Sequence, residues 1–127
     1  MSNSVNQFFK ENKVDRKNVK FAASKSFFDE NGKPIEWTLR SLPSKLMERI
    51  RKTASNNDEL IISATAASVV FPNLRDSSLQ DSYGAKKPED LLMELLYSDE
   101  LVALEMKVLE INNFSKNIVD LVDEAKN

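Results

Sequence analysis

The side chains best suited to catalysis in this sequence are a serine–lysine–serine run and three pairs of neighbouring acids. Ser24-Lys25-Ser26 supplies the residue types of a nucleophile activated by an amine. On a strand, however, alternate side chains face opposite ways, so both serines would point away from Lys25 and an exposed strand face is the simpler interpretation. The acid pairs occupy a predicted turn and two predicted helix starts, which are ordinary positions for acids: Asp29-Glu30, Asp58-Glu59 and Asp99-Glu100.

Other catalytic chemistry lacks its usual residues. The 127 residues include no cysteine and no histidine, which removes thiolate chemistry, the commonest general base and the usual transition-metal ligand. With only two glycines the chain has no glycine-rich phosphate loop, and no calcium-loop pattern occurs. The sequence therefore predicts a protein that is not an enzyme and that has no catalytic, metal or cofactor site.

Composition predicts an ordinary globular chain. Hydrophobic residues make up 41% and charged residues 30%, so we expect residues 1–127 to form a single domain around one core. No apolar run is long enough to cross a bilayer and the first residues do not resemble a secretion signal, so we expect no membrane partner. The absence of cysteine fits a reducing cytoplasm.

Charge is divided unevenly along the chain. Residues 1–57 carry 12 basic and 6 acidic residues, whereas residues 58–127 carry 6 basic and 14 acidic residues. Either the two halves attract each other in the fold, or the basic half presents a face to a partner. The basic residues are scattered among acids without a binding motif, which argues against nucleic acid as the partner.

The first third of the chain predicts a β-hairpin. Residues 1–18 are polar and form an N-terminal arm or a short helix, and residues 19–40 then alternate with the period of two that strands require. Asn31-Gly32 favours a tight reversal, and Ile35, Trp37 and Leu39 share one face of the return strand. A two-stranded hairpin is marginal alone, so helices or a further strand must cover its apolar face.

Helical periodicity dominates residues 43–125. Apolar positions recur at helical spacing from Leu46 to Ala54, from Leu60 to Phe71, from Leu91 to Leu96, from Leu101 to Ile111 and from Ile118 to Ala125, with one short turn of helix between Leu74 and Tyr83. Pro43 opens the first helix, Asp58 is the expected N-cap of the second and Pro72 ends it. We therefore predict an α+β fold in which an N-terminal β-hairpin packs on a mainly helical C-terminal part of about five helices.

Three apolar features suit either the core or a partner. Trp37 fits a core anchor better than a contact residue. Phe28 is out of phase with the hairpin's apolar face, so it is exposed unless a bulge turns it inward. The broad stripe from Leu101 to Ile111 is core in the simpler reading, although a groove for a partner helix would show the same pattern.

The middle of the chain contains a distinctive run, Val69-Val70-Phe71-Pro72-Asn73-Leu74 followed by Leu79-Gln80-Asp81-Ser82-Tyr83-Gly84. This run resembles the signature of the XkdN-like tail assembly chaperones of tailed phages and PBSX-type defective prophages. The resemblance is supported by Ser24 through Trp37, Pro88 through Leu92, Glu110 through Phe114 and Leu121 through Asn127. One position departs from the pattern, because Asn113 stands where glycine is expected before Phe114.

The resemblance implies a protein made in the bacterial host cytoplasm and used while a phage tail is built. Its implied partners are the tape-measure protein and the tail-tube protein, and self-association into a homo-oligomer is compatible with it. A structural minor tail or adaptor protein that stays in the particle is the alternative. The candidate partner-binding residues are Phe28, Phe71, Pro72, Asn73, Leu74, Gln80, Asp81 and Tyr83. The same signature residues also suit helix termination and core packing.

Overall fold

The computed structural model describes residues 4–114, in which three short strands and five helices follow one another. In chain order they are β1 (Val19–Phe21), β2 (Trp37–Leu39), α1 (Ser44–Thr53), α2 (Asn57–Ser68), β3 (Val69–Phe71), α3 (Ser77–Ser82), α4 (Pro88–Leu95) and α5 (Ser98–Ile111). Two turns of 3-10 helix precede them, at Val5–Phe8 and Lys10–Asn12. The α+β prediction is confirmed. The helix predicted from Ile118 to Ala125 lies outside the described residues.

The hairpin forms with the predicted partners. β1 and β2 pair antiparallel, with Val19 opposite Leu39 and Phe21 opposite Trp37, so the alternating apolar positions share one face of the sheet. Trp37 is 3% exposed and Leu39 is fully buried. Trp37 is therefore a core residue.

The sheet has a third strand that the sequence pattern did not predict. We expected α2 to continue to Phe71, but it ends at Ser68, and Val69–Phe71 pairs antiparallel with β2. Two physical reasons account for the correction. The β-branched pair Val69-Val70 favours extended backbone, and the open edge of β2 offers partners, as when the Arg40 N–H donates to the Ser68 carbonyl at 2.8 Å.

The first strand is shorter than its alternation suggested. Pairing stops at Phe21, and beyond it Ala23 and Ser24 are both buried although they are neighbours in sequence. The Ser24 hydroxyl accepts a hydrogen bond from the Ser26 N–H at 3.0 Å. The run Ser24-Lys25-Ser26 therefore forms a bend in which Ser24 is buried and Lys25 and Ser26 are exposed, so the strand expected for it was wrong.

Helix α2 lies at the centre of the helical part, in contact with α1, α4 and α5. Its buried side chains fall on several faces and most are small: Leu60, Ile62, Ala64, Thr65, Ala66 and Ser68. Small side chains allow neighbouring helices to approach closely. The helix begins two residues earlier than expected, because the Asn56 side chain, rather than that of Asp58, accepts the cap hydrogen bond from the Glu59 N–H at 2.8 Å.

Helices α4 and α5 supply three leucines to the core that are fully buried, like Leu39 of β2: Leu91, Leu92 and Leu104. Helix α5 begins where Glu100 reaches back to accept the Tyr97 N–H at 3.0 Å. After α5, Asn113 adopts a left-handed φ of 55°, a conformation that asparagine tolerates better than most residues. Asparagine thus replaces the expected glycine without losing the turn.

Candidate partner-binding surface

Where the hairpin, β3 and α3 meet, the surface carries a hollow of about 160 Å³ whose lining side chains are all apolar or aromatic. We call it the aromatic groove. Its lining residues are Phe27, Ile35, Trp37, Phe71, Pro72, Leu79, Tyr83 and Leu95. Phe71 is 52% exposed at its edge, whereas Trp37 lies at its base and is buried. A partner's apolar side chain placed here would contact aromatic surface on several sides.

The hairpin turn positions one side of the aromatic groove. Asp29 organises the turn, because its Oδ1 accepts the N–H groups of Asn31 at 2.8 Å and of Lys33 at 3.0 Å. Gly32 supplies the positive φ of 77° that the reversal requires. The Ile35 N–H then donates to the Phe27 carbonyl at 3.0 Å, which places these two groove residues next to each other.

The opposite side of the aromatic groove is built by β3 and α3. Asp76 caps α3 by accepting the Leu79 N–H at 2.8 Å. Leu79 and Tyr83 are four residues apart, a spacing that puts them on one face of α3. The Gln80 side chain donates to the Leu74 carbonyl at 2.8 Å, which fastens α3 to the segment that follows β3.

The structure brings three of the predicted site residues together in the aromatic groove and places the others outside it. Phe71, Pro72 and Tyr83 come together in the aromatic groove, although they were chosen from two separate stretches of sequence. Phe28 lies beside the hairpin turn, paired with Pro34 in an isolated bridge and 54% exposed. Its exposure agrees with its position out of phase with the apolar face.

The remaining candidates have structural roles or stand apart from the groove. Leu74 is 3% exposed and belongs to the core. The Asn73 side chain accepts the Arg75 N–H at 3.1 Å, and Gln80 makes the bond to Leu74 described above. Asp81 is exposed but does not line the aromatic groove. Leu74 therefore packs in the core, and Asn73 and Gln80 make local hydrogen bonds in and around the connection between β3 and α3.

Sequence reasoning missed several groove residues. Phe27, Ile35, Leu79 and Leu95 line the aromatic groove but were not among the candidates. The sequence could have indicated Leu79, because it precedes Tyr83 by one helical turn within the signature. Nothing in the sequence indicated Leu95, because its place in the groove depends on how α4 packs against the hairpin.

Two glutamates of α5 have shifted pKa values. The backbone N–H groups of Tyr97 and Lys25 both donate to Glu100, at 3.0 and 2.8 Å, and lower its pKa; the charge of Lys25 adds to the effect. Burial raises the pKa of Glu105, and the nearby charge of Asp58 raises it further. Neither residue lines the aromatic groove.

The described part of the chain offers few features of other functional classes. Between residues 4 and 114 no group of three or more His, Cys, Asp or Glu side chains is arranged to hold a metal ion. None of the helices in that range has both the length and the apolar character needed to span a bilayer.

Comparison with solved structures identifies the class of fold first. The chain resembles the crystal structure of the protein YqbN with a TM-score of 0.83 at 18% sequence identity, over 91% of this chain and 100% of that one. The two proteins therefore share the same α+β fold.

The family follows from the sequence itself. Residues 5–126 match the model of the phage XkdN-like tail assembly chaperone proteins, so this chain belongs to that family. It is also 23% identical over 129 residues to the phage-like element PBSX protein XkdN of Bacillus subtilis strain 168, covering 90% of this chain and 87% of that protein. The family suggested by the resemblance is confirmed.

Proposed function

We propose that this tail assembly chaperone works in the bacterial host cytoplasm as a non-catalytic binding protein. In this proposal it holds the tape-measure protein in solution while tail-tube subunits assemble around it. Membership of the family supports the general role. The aromatic groove supports the choice of an apolar segment as the bound element, because exposed apolar surface of this kind is typical of interaction sites.

The observation that carries the proposal is the exposure of Phe71 beside Pro72 and Tyr83. Phe71 ends β3, Pro72 follows it and Tyr83 follows α3. Phe71 is 52% exposed and can reach a partner without rearrangement, while Pro72 and Tyr83 are partly buried beside it. An apolar helix of the partner laid across the aromatic groove would bury Phe71 against a second apolar surface. A buried aromatic anchor of this kind commonly dominates binding energy.

The first experiment is co-expression with the tape-measure protein from the same gene cluster, followed by pull-down and by mass spectrometry of finished tails. We expect the tape-measure protein to stay in solution and co-purify, and we expect the chaperone to be absent from finished tails. A stoichiometric amount of the chain in tails, without binding to the tape-measure protein, would instead favour a structural minor tail or adaptor protein.

A variant assigns the binding to the aromatic groove. Phe71→Ser should weaken co-purification by about tenfold or more, because truncating an aromatic anchor typically costs at least 2 kcal/mol of binding energy. Tyr97→Ser is the matched control, since Tyr97 is also aromatic and 73% exposed but lies outside the groove. Equal retention of the partner by both variants would contradict the assignment.

Phe28→Ser measures how far the binding surface extends. Phe28 follows the groove residue Phe27 in sequence and is 54% exposed, so its truncation should leave the fold intact. Loss of binding comparable to that of Phe71→Ser would extend the surface onto the hairpin turn. Retained binding would confine the surface to the aromatic groove.

A further inference from the structure

The N-terminal arm, residues 4–18, has ordered backbone but no cover for its apolar side chains. All of its residues are exposed, with Phe8 at 84%, Val5 at 72% and Val14 at 91%. Local hydrogen bonds nevertheless organise it, including Ser4 with Gln7 and the Asn12 side chain with the Asn6 carbonyl at 2.7 Å. Apolar surface held in water is unfavourable, so an arm of this kind gains by binding elsewhere.

The arm is also basic. It carries Lys10, Lys13, Arg16 and Lys17 against only two acids. Arg16 is already engaged, because its Nη1 donates to the Ser41 hydroxyl at 3.3 Å and to the Ile111 carbonyl at 3.5 Å. These contacts fix the base of the arm at the end of α5 and leave the three lysines exposed. The arm therefore offers exposed apolar side chains together with exposed positive charge.

On another face, a groove of about 550 Å³ separates the start of α2 from α4 and α5. We call it the acidic groove. Its apolar surface comes from Ile61, Ile62, Met93 and Leu101, and Met93 is 58% exposed there. The chain's own arm does not cover it.

Acids surround this apolar surface. Asp58, Glu59, Glu89, Asp90 and Glu105 line the acidic groove, with Lys87 as the basic residue among them. Glu105 is partly buried beside Asp58, and burial and the Asp58 charge together raise its pKa, so its charged form is less stable there than in water. A lysine brought close to it would offset that repulsion.

The two surfaces are complementary in both properties: each has apolar surface open to solvent, centred on the exposed Met93 in the groove, and their net charges are opposite. We propose that the N-terminal arm of one copy of this chain binds in the acidic groove of a second copy. The apolar side chains of the arm cover the groove's apolar surface, while its lysines face the surrounding acids. This self-association uses neither the aromatic groove nor any other phage protein, so its test is independent of the proposed function.

The test is analytical ultracentrifugation of the full chain with charge reversals on either surface. The wild-type chain should associate at low salt. Lys13→Glu with Lys17→Glu on the arm should weaken association at least tenfold, and so should Asp90→Lys with Glu105→Lys in the groove. An equimolar mixture of the two variants should associate again, because the unaltered arm of the groove variant meets the unaltered groove of the arm variant.

Two control variants test whether a loss of association reflects the loss of these contacts rather than misfolding or a change in the overall charge of the chain. Lys45→Glu with Lys52→Glu reverses two exposed lysines on α1, outside both surfaces, and should leave association unchanged. Phe8→Ser removes an exposed side chain of the arm, so circular dichroism should be unaltered while association weakens.

The proposal is overturned if the wild-type chain stays monomeric at all accessible concentrations. That result is expected if the arm binds the acidic groove of the same copy instead. It is also overturned if the arm variant associates as tightly as the wild type, or if the mixture of variants fails to associate.

Discussion

At the scale of single residues, Glu100 connects two parts of the chain that are far apart in sequence. Its two carboxylate oxygens accept the N–H groups of Tyr97, at the start of α5, and of Lys25, in the turn after β1. Hydrogen bonds to a charged acceptor are stronger than neutral ones. Glu100 therefore fastens the hairpin to the helical part at the point where the two meet.

We predict that Glu100→Gln lowers the free energy of unfolding by about 1 kcal/mol at neutral pH, a value that allows for solvent screening. The folded-state pKa of Glu100 lies below its ordinary value of 4.5. Its contribution is therefore present above about pH 4.5 and is lost as the pH falls through the lower folded value. Urea unfolding at several pH values, followed by the fluorescence of the single tryptophan, measures the difference.

Glu94→Gln is the matched control, because Glu94 is exposed on α4 and should contribute little. A difference between wild type and Glu100→Gln that stayed constant down to acid pH would contradict the role given to the Glu100 carboxylate.

Glu105 should behave in the opposite way. Because its pKa is raised in the folded chain, ionising it opposes folding, and the penalty grows as the pH rises from 4.5 through the higher folded value. Glu105→Gln removes that penalty and should stabilise the monomer by about a few tenths of a kcal/mol at neutral pH, since solvent screens a partly exposed group. Thermal unfolding of the two proteins at matched pH should show the gain at pH 7 and none at acid pH; a loss of stability at pH 7 would refute it.

At the scale of elements, α5 carries the broad apolar stripe that the sequence left open between core and partner groove. The structure divides the stripe. Leu104 and Val108 are buried in the core, whereas Val102 and Met106 are 53% and 65% exposed. Because both pairs have a spacing of four residues, each lies on its own face of the helix.

This division predicts unequal effects of truncation on the same helix. Leu104→Ala should lower the free energy of unfolding by about 2–5 kcal/mol, because it leaves a cavity among fully buried neighbours. Val102→Ala, two residues away and exposed, should change it by no more than about 0.5 kcal/mol. Chemical denaturation of both variants checks the contrast, and similar losses for the two would mean that the outer face of α5 is also covered.

The accuracy of the sequence-based prediction varied between elements for physical reasons. The hairpin was predictable because Asn31-Gly32 fixes the turn and the alternation of Ile35, Trp37 and Leu39 fixes the face. Strand β3 was not, because Val69, Val70 and Phe71 continue the apolar pattern of α2. The β-branched pair Val69-Val70 favours extended backbone, but the pairing that makes it a strand comes from the open edge of β2, which is distant in sequence.

The aromatic groove shows the same limit. Phe71, Pro72 and Tyr83 could be chosen from the signature, because aromatic residues beside a proline and a glycine stand out in sequence. Ile35 and Leu95 could not, since they join the groove only when the hairpin and α4 pack beside β3. A local pattern identifies residue types, and tertiary packing decides which of them share a surface.

At the scale of the whole molecule, the opposite charges of the two halves do not form direct ion pairs in the part of the chain that the structure describes. In residues 4–114 the two ion pairs, Arg51 with Glu48 and Lys107 with Glu110, each lie within one helix. The halves are joined instead by the apolar core and by bonds such as that from the Lys25 N–H to Glu100. Most of the charge therefore remains on the surface.

This arrangement predicts that salt affects folding and self-association differently. Raising NaCl from about 0.05 M to about 0.5 M shortens the electrostatic screening length to a few ångströms. The free energy of unfolding should nevertheless change by less than about 1 kcal/mol, because the ion pairs within the helices contribute little to it. Association of the basic arm with the acidic groove should weaken at least tenfold over the same range. Denaturation at a concentration where the chain is monomeric, alongside ultracentrifugation at higher concentration, separates the two effects. A fold that lost several kcal/mol in salt would mean that attraction between the halves, rather than the apolar core, holds the chain together.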